Sequence, residues 1–210
     1  MSSTRLEVKN FGIRTASGID FHLAPGQSMG LSGPSGAGKT LLLRALADLD
    51  PHQGEMWLDG VAADDIPVDQ WRRQVALLPA ESAWWHDTVG AHFRLQDESW
   101  LSDLGFGPEV MTWQINRLSS GERQRLSLLR LLVLHPKVLL LDEPTANLDT
   151  DSTALVEALL RQYRNDRQPA IVWVSHNPAQ LHRNCDRTCL LQNGGFSTAD
   201  PISVSERGAP

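Results

Sequence analysis

The sequence predicts an α/β protein in which a mainly parallel sheet is covered by helices on both faces. In the last third of the chain, fully apolar strand-like runs alternate with helix-like segments, the pattern of buried parallel strands joined by crossover helices. Near the start, residues 19–23 alternate strictly between apolar and polar types and precede the turn dipeptide Pro25-Gly26, which indicates half-buried antiparallel strands. The N-terminal part is therefore expected to be antiparallel.

The individual elements are predicted from the spacing of apolar residues and from the Gly and Pro residues that end helices and strands. The first 80 residues predict strands at 6–9, 19–23 and 29–31, a leucine-rich helix at 39–49, and strands at 55–59 and 75–78. Residues 88–117 hold short helical pieces broken by Gly105, Gly107 and Pro108. The remainder predicts a helix at 120–134, a strand at 138–141, a helix at 151–164, a strand at 170–174, a helix after Asn177 and a strand at 187–192.

Composition excludes several classes of protein. The 210 residues are 41% hydrophobic and 21% charged, which is globular rather than disordered, and the net charge of −6 offers no electrostatic footprint for nucleic acid. No apolar run approaches the ~18 residues that a membrane span needs, and residues 1–10 lack the apolar stretch of a signal peptide. The only two cysteines, Cys185 and Cys189, fit reduced thiols in a reducing compartment. We therefore expect an intracellular protein.

A glycine-rich loop lies between a predicted strand and a predicted helix. Its sequence matches the pattern G-x-x-x-x-G-K-[ST], in which glycines let backbone N–H groups close around phosphate oxygens. Lys39 would reach the β- and γ-phosphates, and the Thr40 hydroxyl would ligate Mg²⁺. The predicted phosphate-binding residues are Gly33, Pro34, Ser35, Gly36, Ala37, Gly38, Lys39 and Thr40.

Two carboxylates end the apolar run at residues 138–141. Read alone, Asp142 and Glu143 could be an ordinary solvated strand end, but carboxylates on a buried strand are costly unless a cation or reactant receives them. Together with the phosphate loop, they predict that Asp142 holds Mg²⁺, directly or through water. Glu143 would then orient or deprotonate the attacking water.

Three further motifs carry a resemblance to a known family. Residues 118–122, Leu-Ser-Ser-Gly-Glu, resemble the LSGGQ signature of ATP-binding cassette (ABC) ATPases. Residues 145–149, Thr-Ala-Asn-Leu-Asp, look like that family's D-loop, and residues 174–176, Val-Ser-His, look like its switch histidine. All the motifs occur in the family's order. On them, the chain is identified as a member of the ABC ATPases over about residues 6–194.

The resemblance implies a P-loop NTPase fold with a mainly parallel central sheet, an N-terminal antiparallel β portion and a short α-helical subdomain. One domain, 1–210, would contain that subdomain at about 80–135. The resemblance also implies hydrolysis of Mg-ATP in a head-to-tail dimer with a second copy or a homologous cassette. There, Ser119 and Gly121 would contact the γ-phosphate held by the other subunit, and His176 would act with Lys39 and Glu143 in catalysis.

Since no spanning segment is predicted, a transporter cassette of this kind implies separate transmembrane permease subunits. The chain would then sit peripherally at the cytoplasmic face of the membrane. The alternative is a soluble ABC-type ATPase that acts on a non-transport macromolecular partner. A fainter resemblance of residues 134–138 and 173–176 to small bacterial cassettes for iron or metal export assigns no substrate.

The sequence departs from the family pattern at two places. Ala80 stands where the family has a glutamine that reaches Mg²⁺ and the attacking water, and the segment 80–118 is shorter than usual. The family stacks adenine on an aromatic residue, for which Phe11 is the candidate, although Thr15 falls about as well on the expected position. The pair Trp84-Trp85 predicts either an anchor for a membrane partner or core packing of the helical segment.

Overall fold

The strands form two sheets in a computed structural model that describes residues 4–93 and 99–201. The strands are β1 (Leu6–Ile13), β2 (Ala16–Leu23), β3 (Ser28–Ser32), β4 (Gln53–Leu58), β5 (Val61–Ala62), β6 (Val75–Leu78), β7 (Val138–Asp142), β8 (Ala170–Val174), β9 (Arg187–Gln192) and β10 (Gly195–Pro201). The α-helices are α1 (Lys39–Leu46), α2 (Val68–Gln74), α3 (Ser99–Asp103), α4 (Ser120–Leu132), α5 (Thr150–Arg167) and α6 (Pro178–Asn184).

The larger sheet is mainly parallel, as the sequence predicts. Its strand order is β10-β9-β3-β8-β7-β6, and all neighbours from β9 to β6 are parallel, with β10 added antiparallel at one edge. The smaller sheet, in the order β2-β1-β4-β5, is antiparallel. Both the α/β class and the antiparallel N-terminal portion are therefore confirmed.

Alternation along the central strands separates two apolar cores. In β7, Val138 and Leu140 face the side covered by α1 and the smaller sheet, whereas Leu139 and Leu141 face α4 and α5. Every residue of β7 and of β8 is buried, which explains their uninterrupted apolar sequences. The short helical pieces between residues 90 and 117 pack on the second core through residues such as Val110.

The parallel register brings three loops to one edge of the sheet. Since β3, β7 and β8 run in the same direction side by side, the segments that follow their carboxyl ends lie next to one another. These segments are residues 33–38, 143–149 and 175–177. The predicted phosphate loop, acidic pair and histidine thus share one edge.

Some elements differ from their predicted bounds. The helix predicted at 39–49 ends at Leu46, and Asp48 adopts a left-handed conformation with φ 54°. The helix α2 and the strand β10 were not predicted. The extent of one domain over 1–210, with a helical subdomain at 80–135, stays a prediction, and residues 1–3, 94–98 and 202–210 of it lie outside the described residues. None of the helices in the described ranges combines the length and the apolarity that crossing a membrane requires.

Candidate nucleotide-binding site

The loop between β3 and α1 has a backbone that requires glycine. Gly33 has φ 148° and Gly38 has φ 101°. A Cβ atom would lie 2.2 Å from the carbonyl oxygen of Leu191 if placed on Gly33, and 2.1 Å from Oγ1 of Thr15 if placed on Gly38. Neighbouring segments therefore press against the loop, and its backbone leads directly into the N-terminus of α1, where anions are favoured.

The ammonium group of Lys39 lies within this loop. Lys39 is only 7% exposed, and its Nζ donates to the carbonyl oxygens of Gly33, at 2.8 Å, and Pro34, at 3.0 Å. Carbonyl oxygens bear only partial negative charge, so most of the positive charge stays available to an anion. A phosphate group in the loop would meet a positive charge that is already positioned.

The two predicted magnesium ligands are in direct contact. The Thr40 hydroxyl donates to Oδ2 of Asp142 at 2.7 Å, although the two residues are far apart in sequence. Asp142 is 3% exposed, at the carboxyl end of β7. One hydroxyl and one buried carboxylate at this distance provide the hard oxygen ligands that Mg²⁺ uses, and this donor set therefore fits the ion.

Glu143 and His176 face each other beside that pair. Oε1 of Glu143 lies 3.6 Å from Nε2 of His176, and within the described residues this oxygen has no hydrogen-bond partner although it is buried. Burial raises the pKa of Glu143 above its ordinary value. A carboxylate with a free, partly desolvated oxygen is suited to accept a proton from water.

The backbone of Glu143 is strained. Its φ of 50° is left-handed, which costs a non-glycine residue about 1–2 kcal/mol. Its N–H donates to the carbonyl oxygen of Val174 at 3.1 Å, so the neighbouring strand β8 holds the residue in this conformation. Strain that the surroundings maintain is typical of functional sites.

The signature residues begin α4. Ser119 is the N-cap: its Oγ accepts from the N–H of Glu122 at 3.2 Å, and the Glu122 carboxylate accepts from the N–H of Ser119 at 2.8 Å. A Cβ on Gly121 would lie 3.1 Å from Leu148, next to the predicted D-loop. The contacts of Ser119 among the described residues are those of a capping box, which leaves its exposed side free for another molecule.

The structure buries the ring of Phe11, the residue predicted to stack on adenine. Phe11 is fully buried in the first core, where its ring stacks on His52 with centroids 4.9 Å apart. The pairing of β1 with β2 shifts register between Val8 and Phe11, and Asn10 has φ 46°, so an irregularity in the strand turns the ring inward. The alternative, Thr15, does lie against the phosphate loop, where its buried Oγ1 has no partner within the described residues.

The predicted pair of tryptophans divides between the two readings. Trp84 is half-buried and packs against the second core, whereas Trp85 is 65% exposed. The guanidinium of Arg130, on α4, lies over both rings, 4.5 Å from the Trp84 centroid and 4.8 Å from that of Trp85. Arg130 was not predicted from the sequence as a contact of these rings, because an arginine on an amphipathic helix gives no signal of its own.

Ala80, at the position where the family has a glutamine, is exposed after β6.

The fold and the site define a P-loop nucleotide-binding protein. The family model described as ABC transporter matches residues 16–146, more than half of the chain, and the chain therefore belongs to the ABC transporter family. The identification made from the motifs is confirmed.

Two curated relatives and one solved structure show how far the similarity extends. Protein STAR1 of Oryza sativa subsp. japonica is 38% identical over 207 residues, covering 92% of this chain and 60% of its own length. Aliphatic sulfonates import ATP-binding protein SsuB 1 of Pseudomonas fluorescens is 34% identical over 191 residues, covering 89% of this chain and 71% of its own length. The structure of a bacterial Atm1-family ABC exporter with ATP bound matches with a TM-score of 0.81 at 23% identity, over 96% of this chain and 39% of that one.

The structural match establishes the fold. The family and its ATP-binding relatives confirm that the chain is an ABC ATPase cassette of the transporter class, and they favour this reading over a non-transport ATPase. The chain spans 60% of the length of the rice relative.

Proposed function

We propose that this chain hydrolyses Mg-ATP in a head-to-tail dimer and powers separate transmembrane subunits at the cytoplasmic face of a membrane. The observation that supports it most directly is the contact of 2.7 Å between the Thr40 hydroxyl and the Asp142 carboxylate. It joins the phosphate loop to the strand end that carries Glu143. The two parts of an ATPase site are thus assembled within one chain.

Each residue has a role that its geometry supports. The loop from Gly33 to Thr40 binds the phosphates through backbone N–H groups, and Lys39 neutralises charge on the β- and γ-phosphates. Glu143 orients the attacking water and accepts its proton at the free Oε1. His176, whose side chain is 58% exposed, would contact the γ-phosphate.

Thr40 and Asp142 would hold the magnesium ion. The ion would neutralise developing charge on the phosphate oxygens and template their arrangement. Asp142 is buried and therefore gains a favourable environment for its charge when a cation is bound. The Thr40 hydroxyl donates its hydrogen to Asp142, and a lone pair of its oxygen would be directed to the ion.

A second cassette completes the site in this proposal. Ser119 caps α4 and Gly121 lies in its first turn beside the D-loop, where the Ser119 hydroxyl and the N–H of Gly121 would meet the γ-phosphate of a nucleotide on the other subunit. Either a second copy of this chain or a homologous cassette can supply this contact.

The surface around Trp85 is the proposed contact with a transmembrane subunit. A cavity of about 520 Å³ is lined there by apolar residues, among them Leu131 and Leu134, and by the cationic Arg73 and Arg130. Trp85 and Leu134 are 65% and 60% exposed, and large exposed apolar side chains beside a cavity favour burial by a partner. We propose that a short segment of the transmembrane subunit, apolar with a carboxylate, occupies it.

The hydrolytic role of Glu143 is tested with the purified chain. We expect Mg²⁺-dependent phosphate release from ATP, and we expect Glu143→Gln to lower its rate by about 100-fold or more while ATP binding is retained, because an amide cannot accept the proton. Glu55→Gln, on the exposed surface of β4, is the matched control and keeps the parent rate. Equal rates in parent and Glu143→Gln would contradict this role.

A further inference from the structure

The side chain of Gln180 joins the loop that follows β7 to the loop that follows β8. Gln180 lies in α6 and is 3% exposed. Its Oε1 accepts from the Ser175 hydroxyl at 2.8 Å, and its Nε2 donates to the Thr145 hydroxyl at 2.8 Å. Ser175 precedes His176 directly, and Thr145 is two residues after Glu143. One amide therefore bridges the loop after β7 and the loop after β8.

The amide is itself held in one orientation. Nε2 also donates to Oε1 of Glu157 at 2.8 Å, and Glu157, on α5, is paired with Arg183 through two bonds of 2.7 and 2.6 Å. Burial alone would raise the pKa of Glu157, but the hydrogen bonds from Arg183 and Gln180 outweigh it, and the pKa lies below its ordinary value. Glu157 is thus ionised and accepts from both donors, which fixes Nε2 on the Thr145 side.

A backbone hydrogen bond also joins Glu143 to the end of β8: its N–H donates to the carbonyl oxygen of Val174. Oε1 of Glu143 and Nε2 of His176 lie 3.6 Å apart, which is too long for a hydrogen bond between these two atoms. The Ser175–Gln180–Thr145 bridge is a second connection between the two loops, made through side chains.

We infer that Gln180 is a positioning residue for ATP hydrolysis: it sets the separation between the Glu143 carboxylate and the His176 imidazole. The inference rests on the proposed function and adds a residue that touches neither nucleotide nor metal ligand. Misplacing reacting groups by about 1 Å can reduce the rate by orders of magnitude, so the loss of this bridge reduces turnover and spares nucleotide affinity.

The test compares a variant that removes the bridge with a control on the same helix. Gln180→Met keeps the length of the side chain and loses the bridge, whereas His182→Gln changes an exposed side chain of α6 and leaves Ser175, Thr145 and Glu157 untouched. For Gln180→Met we expect kcat for ATP to fall by about tenfold or more with KM within about twofold of the parent value. His182→Gln keeps the parent kcat.

A second variant distinguishes positioning from loss of stability. Thr145→Val removes the same bridge from its other end, and we expect the double variant with Gln180→Met to have the kcat of Gln180→Met alone, because both changes break one interaction. Additive losses, an equal loss of kcat in His182→Gln, or a parent-like kcat in Gln180→Met at a temperature where it is folded would each overturn the inference. If the parent chain itself does not hydrolyse ATP, the proposed function fails and the inference fails with it.

Discussion

At the scale of single residues, position 80 is where this chain departs most clearly from the pattern it resembles. Ala80 is exposed two residues after the end of β6, and its side chain has no hydrogen-bond donor or acceptor. The neighbouring Glu81 is exposed, and the hydroxyl of Ser82 is buried without a partner within the described residues. The polar contact that a glutamine would make to the metal and water is therefore absent from the side chain at position 80.

Restoring the amide should increase basal hydrolysis. We expect Ala80→Gln to raise phosphate release by up to about tenfold, since about 1.4 kcal/mol of added transition-state stabilisation corresponds to that factor. Ala83→Gln, three residues further along the same exposed loop, is the matched control and leaves the rate unchanged. An unchanged rate in Ala80→Gln would show that another group already performs this role.

Sequence motifs predicted most of the site because each one encodes its own local geometry. Gly33 and Gly38 have the backbone conformations that the motif requires, and Asp142 follows a strand whose burial is evident from its letters. The burial of Phe11 was not predictable because a register shift within β1 decides which way its ring points, and spacing does not reveal such a shift. The position of Gln180 depends on three elements meeting in space, which no local pattern encodes.

At the scale of elements, Arg130 of α4 contacts the segment that follows β6. Arg130 donates to the carbonyl oxygen of Ala83 at 3.0 Å and lies over both tryptophan rings. His92 accepts from the N–H of Trp85 at 3.0 Å and further fixes the loop. These contacts connect the loop after β6 to α4, whose N-terminus carries the signature residues.

The two tryptophans are expected to respond differently to truncation. Trp84→Ala removes a half-buried ring from the second core and should lower the free energy of unfolding by about 2–3 kcal/mol. Trp85→Ala removes an exposed ring and should change it by less than about 1 kcal/mol, with ATP binding intact, but abolish stimulation by the transmembrane subunit. Denaturant unfolding and ATPase assays measure both effects, and equal destabilisation by the two variants would contradict the assignment.

Long periodic elements were predictable from the sequence, and short ones were not. The strand β8 is apolar throughout, β7 is apolar up to Asp142, and α4 has leucines at helical spacing from Leu126 onward. The helix α2 has only seven residues and a single buried side chain, Trp71, so no period can be recognised in it. The strand β10 follows an Asn193-Gly194 turn in which both residues are left-handed, and Asn-Gly is a hairpin signal in the sequence.

At the scale of the whole molecule, one chain presents the two halves of its proposed site on separate elements. Lys39 is in α1 and faces its own loop, whereas Ser119 begins α4 and, among the described residues, contacts Glu122. The net charge of −6 opposes close approach of two copies. Bound Mg-ATP would supply the bridging contacts that overcome this repulsion.

Nucleotide should therefore control association. We expect Glu143→Gln with Mg-ATP to form a dimer, because nucleotide is bound and not consumed, while the same variant without nucleotide stays monomeric. Light scattering measures the mass directly, and Ser119→Ala in the same background weakens the dimer because it removes a proposed phosphate contact. A Glu143→Gln protein that stays monomeric with saturating Mg-ATP would contradict the sandwich arrangement.

In the proposed function the loop of residues 33–40 binds the phosphates of ATP for hydrolysis, and phosphate release by Lys39→Ala is the decisive measurement. Removal of the ammonium leaves phosphate charge uncompensated in a buried site, and the rate should fall by about 100-fold or more. Lys137→Ala, which removes a surface ammonium paired with Asp59, is the matched control and should hydrolyse ATP at the parent rate. Hydrolysis by Lys39→Ala at the rate of the parent and of Lys137→Ala would contradict the account.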